Sequence, residues 1–223
     1  MPIYKGENMD RKDHEQLEIL YREAGIVRDP AEAYNLSEKG PYTIEDYYAI
    51  PDERRVELID GVIYDMASAT RTHQRIIGLM YRQMIDCIEE HDKNCEVFFA
   101  PSDVQLDRDI WTMVQPDLFV VCEPTEPGEH AHQGAPAFVA EVLSPSNRAH
   151  DLIRKLYKYK NAGVREYWVI DPENQMILVY DFEKGKPVQE YSFQDTIPVL
   201  ISEGCCEVDF ARIDASVARY GYK

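Results

Sequence analysis

The chain has 223 residues, 44% of them hydrophobic, which is enough to bury a core without disulfides or structural metal and too apolar for disorder. No apolar run reaches the length of a membrane span, and the polar opening Met1–Asp13 lacks the apolar segment of a secretory signal, so a cytoplasmic protein with no membrane partner is expected. A formal net charge of −17 disfavours non-specific affinity for nucleic acid, but it leaves room for a local basic cleft or a bound divalent cation.

In chain order, Leu17, Leu20, Tyr21 and Ala24 fall on one helical face, and Gly25 is a stop signal. From Ile26 to Gly40 the periodicity is lost. Residues 1–40 therefore read as a helical extension with a linker, and 41–223 as the main domain. Thr43, followed three residues later by Asp46, is a capping signal for a short helix ending near Pro51. Asp60–Gly61 lies between two apolar runs within Val56–Met66 and predicts a hairpin. Thr72 opens a long helix to about Glu90, with Ile77, Met80, Met84, Cys87 and Ile88 on its apolar face.

Short β-rich segments follow at Glu96–Ala100, Val104–Leu106, Asp117–Cys122 and Ala137–Leu143. Pro124–Gly134, with His130 and His132, reads as a mobile, solvent-exposed loop. Asp151–Ala162 is a predicted helix with Leu152, Ile153, Leu156 and Tyr157 facing inward and Gly163 as its stop. Strands at Glu166–Ile170 and Gln175–Asp181 are joined through Asp171–Asn174. Strands interleaved with helices indicate an α/β fold with a mixed sheet. The five cysteines contain no C-x-x-C pair, so no zinc or thioredoxin-like motif is supported. Cys87 and Cys122, each in an apolar pattern, read as buried thiols of a reducing compartment, and the vicinal pair Cys205–Cys206 as structural.

Three residues carry chemistry together. Asp117 opens an apolar strand, Glu141 interrupts the apolar run F-V-A-E-V-L, and Lys155 lies on the next helix. A carboxylate in a buried strand is costly unless it is paired or bound to a cation. Two carboxylates on adjacent strands would supply hard oxygen ligands for Mg²⁺, with Mn²⁺ as a substitute. A lysine reaching the same place would orient an attacking water or stabilise developing phosphate charge. Taken singly, each has a plain reading: a turn former, a structural ion pair and a solvated helix residue.

The sequence resembles the Uma-two family of restriction-endonuclease-like proteins, within the PD-(D/E)xK nuclease superfamily. The resemblance runs from about Tyr42 to Asp209, through V-E-L-I-D-G-V-I at 56–63, H-Q-R-I-I-G at 73–78, V-Q-P-D-L at 114–118, E-V-L-S-P-S-N at 141–147, D-L-I-R-K-L-Y-K-Y at 151–159 and A-G-V-R-E-Y-W-V-I-D-P at 162–172. It implies a restriction-endonuclease-like mixed sheet flanked by helices, here with an N-terminal helical extension. It also implies a metal site on Asp117 and Glu141, with the Val142 carbonyl as a third ligand. Leu143 stands where the superfamily pattern has its lysine, so the resemblance moves that role to Lys155, with Lys158 as the alternative. Glu57 matches the early acidic residue of the site; its alternative is a strand-edge carboxylate beside Arg54 and Arg55.

His73 fits the family's H-Q pattern as a capping, substrate-binding or proton-transfer residue, and Arg148 and Lys158 head a basic stretch, with Arg154, Lys160 and Arg165, facing a polyanion. The expected activity is Mg²⁺-dependent hydrolysis of phosphodiester bonds in DNA by a homodimer. The alternative is a non-catalytic nucleic-acid-binding or regulatory protein that keeps the fold.

Overall fold

The structure, a computed structural model, describes residues 39–51, 53–91, 94–107, 109–122, 131–143 and 150–221, with side chains from 154 onward in the last segment. The expected helix at Asp10–Ala24, nearly all of the 1–40 extension, Arg148, His130 and the side chains of Leu152 and Ile153, expected to face inward, lie outside that description.

Thr43 and Asp46 form the capping box of helix α1 (Ile44–Tyr48). Strands β1 (Val56–Ile59) and β2 (Val62–Asp65) form an antiparallel hairpin. Its turn places both Asp60 (φ 49°) and Gly61 (φ 76°) in the left-handed region, the requirement of a type I′ turn. Gly61 is also crowded, because a Cβ there would lie 2.3 Å from the Gly40 carbonyl oxygen. Helix α2 (Arg71–Glu90) begins at Thr70, whose side chain accepts a hydrogen bond from the His73 N–H. It buries Ile76, Ile77, Met80 and Met84, while the expected face residues Cys87 and Ile88 are only partly covered.

The main sheet has six strands in the order β10-β9-β8-β7-β5-β3: β3 (Cys95–Phe99), β5 (Leu118–Cys122), β7 (Phe138–Val142), β8 (Glu166–Asp171), β9 (Met176–Asp181) and β10 (Gln189–Ser192). Only β7 and β8 run parallel, joined by helix α3 (His150–Ala162); the other pairs are antiparallel. That crossover places both strands in the middle of the sheet, where every residue of each is buried. The fold is thus mixed α/β, with helices on both faces.

Alternation along the strands divides the core. Leu118, Val120, Phe138, Ala140, Val142, Trp168 and Ile170 pack towards α2 and the C-terminal helix α4 (Phe210–Arg219). Phe119, Val121, Val139, Tyr167 and Val169 pack towards Leu156 and Tyr159 of α3. Strand β4 (Asp103–Gln105) pairs in parallel with β6 (Ala131–Gln133), and β11 (Thr196–Pro198) pairs antiparallel with β12 (Glu207–Asp209). No described helix is long and apolar enough to cross a membrane.

Two expectations are corrected. The end of the predicted loop, Ala131–Gln133, is a strand, and His132 is half-buried with its ring 6.1 Å from that of Phe119. Cys87 and Cys122 are not free thiols. Cys122 is bonded to Cys95, its opposite number in the β3–β5 register, and Cys87 to Cys206, which the turn before β12 brings onto the end of α2. The vicinal pair is therefore split, leaving Cys205 as the free thiol, donating to the Ser202 carbonyl at 2.8 Å.

Candidate functional site

Glu141 follows Val139 by two residues, so the pleat sends it to the α3 face of the sheet. Strands β5 and β7 pair Leu118 with Ala140; continued by one residue, this register sets Asp117 opposite Glu141. Asp117 Oδ2 accepts the Val142 backbone N–H at 2.8 Å, which fixes the strand end, and lies 2.9 Å from His73 Nε2. A residue's N–H and C=O leave an extended strand on the same side, so the Val142 carbonyl is turned the same way as its N–H.

Lys155 reaches this point from α3. Its Nζ lies 3.1 Å from Glu141 Oε1 and 3.0 Å from Glu57 Oε2, and all three side chains are buried. Tyr159 is one helical turn beyond Lys155, on the same face. Its hydroxyl donates to Glu141 Oε1 at 2.6 Å. Glu57 Oε1 accepts the Gln115 backbone N–H at 2.9 Å. The Gln115 side chain is fully used: its amide N–H groups reach Asp103 at 2.9 Å and the Tyr47 hydroxyl at 3.1 Å, and its oxygen accepts from Arg55 at 3.0 Å. Glu57 is therefore no strand-edge partner of Arg54, which pairs with Asp65 instead.

The sequence-expected residues Asp117, Glu141, Lys155, Glu57 and His73 thus come together. Tyr159 and Gln115 belong to the same network but escaped the sequence reading. The available signal for Tyr159 was its position four residues after Lys155; Gln115 had none beyond its place beside Pro116–Asp117.

Lys158 goes elsewhere. It points to the hairpin turn, 2.8 Å from Asp60 Oδ1 and in contact with Asp107. Burial alone would lower its pKa, but the two aspartates outweigh it and raise the ammonium above its ordinary value. Two further residues of the expected basic stripe are also engaged. Arg154 stacks 4.0 Å from the centre of the Tyr64 ring, and Arg165 lies 3.7 Å from Glu183.

Two carboxylates, Glu57 and Glu141, share one ammonium in a buried place, with Asp117 opposite Glu141 and paired with His73. Burial pushes Glu141 up to about 8; Asp117 and Glu57 reinforce the rise, while Lys155 and the Tyr159 hydroxyl oppose it. Burial and the Glu141 and Glu57 carboxylates push the Tyr159 hydroxyl well above its ordinary range. Among the described residues, Asp117 Oδ1 and Glu141 Oε2 accept no hydrogen bond. Two open carboxylate oxygens, with a backbone carbonyl turned the same way, fit a hard divalent cation.

Among solved structures, the fold is similar to a protein of Anabaena variabilis titled a putative nuclease belonging to DUF820, with a TM-score of 0.63 and 20% identity over 78% of this chain and 99% of that one. An uncharacterized protein of Synechocystis sp., slr1290, is 26% identical over 139 residues, which cover 61% of this chain and 72% of the relative. Residues 44–210 match the Uma2 family, whose description is "Putative restriction endonuclease". That match takes in every strand and helix that builds the site, and the chain belongs to the Uma2 family.

Proposed function

We propose that this protein is a divalent-metal-dependent endonuclease that hydrolyses phosphodiester bonds in DNA, with Mg²⁺ as the working ion and Mn²⁺ as a substitute. The observation that carries the proposal is the opposed pair Asp117 and Glu141, each with an open carboxylate oxygen, beside the buried Lys155 ammonium. Asp117, Glu141 and the Val142 carbonyl would hold the ion. When bound, it supplies Lewis-acid chemistry to a phosphoryl oxygen and to water.

The remaining groups belong to the chain itself. His73 and the Val142 N–H hold Asp117 Oδ2, so that Oδ1 stays turned to the open side. Tyr159 and Lys155 hold Glu141 Oε1 and leave Oε2 open. Lys155 also provides positive charge for the phosphate oxygens as negative charge develops on them, or for an incoming water. Glu57 keeps that ammonium in position. Lys158, held by two aspartates, docks the hairpin and is not the active-site lysine. A homodimer would bring two such sites to the two strands of a duplex.

Calorimetry should show Mn²⁺ binding that Asp117→Asn or Glu141→Gln abolishes, and the wild type with Mg²⁺ or Mn²⁺ should nick or cut a member of a mixed DNA and RNA panel. Cleavage of RNA alone would move the substrate. The net charge of −17, which works against binding a polyanion, favours the second reading, a non-catalytic binding or regulatory protein that keeps the fold. A wild type inert on the whole panel, with no Mn²⁺ bound, would establish that reading over ours.

A further inference from the structure

A second cluster of ligand-type side chains lies on the opposite face of the sheet from Asp117 and Glu141. Cys87 and His91 are four residues apart at the end of α2, so they share one face of the last turn. Cys206 comes to the same point from the turn before β12, and one ligand atom from each of the three lies within 4.8 Å of the others. His91 Nδ1 is 3.5 Å from Cys87 Sγ. In a tetrahedral zinc site with ordinary Zn–S and Zn–N bonds, sulfur and nitrogen stand about 3.5 Å apart and two sulfurs about 3.8 Å apart.

The surroundings favour a cation. The free carbonyls of a helix C-terminus carry partial negative charge, and the last turn of α2 contains no basic residue to offset it. Cys206 is buried, Cys87 is half-buried and His91 is exposed, so the cluster opens to solvent on one side.

We propose that the reduced protein binds Zn²⁺ through Cys87, His91 and Cys206, with a fourth position open to solvent. The same proximity that joins Cys87 to Cys206 as a disulfide lets the two sulfurs share a metal once they are reduced. A thiol or phosphine reductant supplies two electrons, two protons complete the two thiols, and Zn²⁺ then displaces both thiol protons. Disulfide and metal are mutually exclusive occupants of one pair of sulfurs. Two thiolates and an imidazole select a softer ion than the carboxylate site does, so the two sites take different metals. Cys205 is not in the ligand set: its thiol is turned to the Ser202 carbonyl. His91 Nδ1 also lies 2.9 Å from the Cys87 carbonyl oxygen, a contact the imidazole gives up on binding the metal.

The test is metal titration of the full chain with Asp117→Asn and Glu141→Gln in place, which silences the carboxylate site. After phosphine reduction, one equivalent of Zn²⁺ should bind with submicromolar Kd. Co²⁺ should give near-ultraviolet thiolate-to-cobalt charge-transfer absorption, which carboxylates cannot produce. The oxidised protein should show neither. His91→Ala, an exposed change that leaves the fold intact, should weaken Zn²⁺ binding at least about a hundredfold, since even outer partners of metal ligands are worth up to that. Cys87→Ser and Cys206→Ser should do the same, and Cys205→Ser should leave binding unchanged. No tighter binding by the reduced than by the oxidised protein would overturn the proposal. So would binding that survives His91→Ala, or that is lost in Cys205→Ser, the pattern of loose thiols.

Discussion

Replacing Lys155 with methionine keeps most of the side-chain volume and removes the ammonium that stands 3.0 Å from Glu57 and 3.1 Å from Glu141. Both carboxylates are buried, and the side chain of Lys155 is only 6% exposed, so water cannot replace the lost charge. Breaking a buried ion pair by removing one partner typically costs about 3–5 kcal/mol. In a chain of this size each kcal/mol lowers Tm by roughly 2–4 °C, so the expected drop is roughly 6–20 °C. Urea unfolding without divalent ions should show the loss. The double variant Lys155→Met with Glu57→Gln should be less than additive, because the two residues share one contact. Nuclease activity should fall on the order of a hundredfold or more while Mn²⁺ binding persists. A Lys155→Met protein within about 1 kcal/mol of wild type, the range of an exposed pair, would refute the reading of Nζ as the counter-charge of a buried site.

Three further outcomes follow from the same structure. Lys158→Ala should lose about 1–2 kcal/mol, between exposed and buried pairs, and keep cleavage within several-fold of wild type; loss of cleavage comparable to that of Lys155→Met would reverse the two lysines' roles. Burial pushes the Glu166 carboxyl up to about 7, against the Ile201, Leu200 and Trp168 N–H donors that lower it. The folded protein then keeps that proton up to about pH 7 while the unfolded chain releases it near 4.5, so this group's contribution to stability is fully present below pH 4.5 and is lost as pH rises to 7. At about 1.4 kcal/mol per pH unit this amounts to on the order of 3 kcal/mol, and wild-type and Glu166→Gln unfolding curves that stay parallel from pH 4.5 to 8 would count against it. Gly61→Ala meets both a φ of 76° and the Gly40 carbonyl, and should cost more than about 2 kcal/mol, whereas Gly185→Ala, with φ 57° and open space, should cost only about 1–2 kcal/mol by thermal unfolding.

The central strands and the long helix were legible because their signals are local. Glu141 stood out as a charge in an apolar run, Asp60–Gly61 announced its turn, and Gly163 ended α3 with a left-handed φ of 98°. The last part of the sheet was not legible. β10 reads Q-E-Y-S, and β11 and β12 are three residues each, so their pairing is set by neighbours rather than by their own pattern. The site was readable as a list of residues but not as a network. Nothing in the sequence tells that Lys155 turns to Glu57 and Glu141 while Lys158, one turn away, turns to Asp60 and Asp107. That choice depends on where the hairpin sits. The cysteine pairs failed for the same reason: Cys87 and Cys206 are 119 residues apart, and no local spacing marks them.

Lys155 and Lys158 are three residues apart on α3, and their partners Glu57 and Asp60 are three residues apart on the hairpin. The helix is therefore keyed to the hairpin at two points, like a shaft with two splines. A single-residue insertion between Tyr159 and Gly163 leaves both keys seated, whereas one ahead of Lys155 turns the shaft by about 100° and withdraws both ammoniums together. Length changes in this helix should be asymmetric in their consequences, tolerated towards Gly163 and ruinous towards His150.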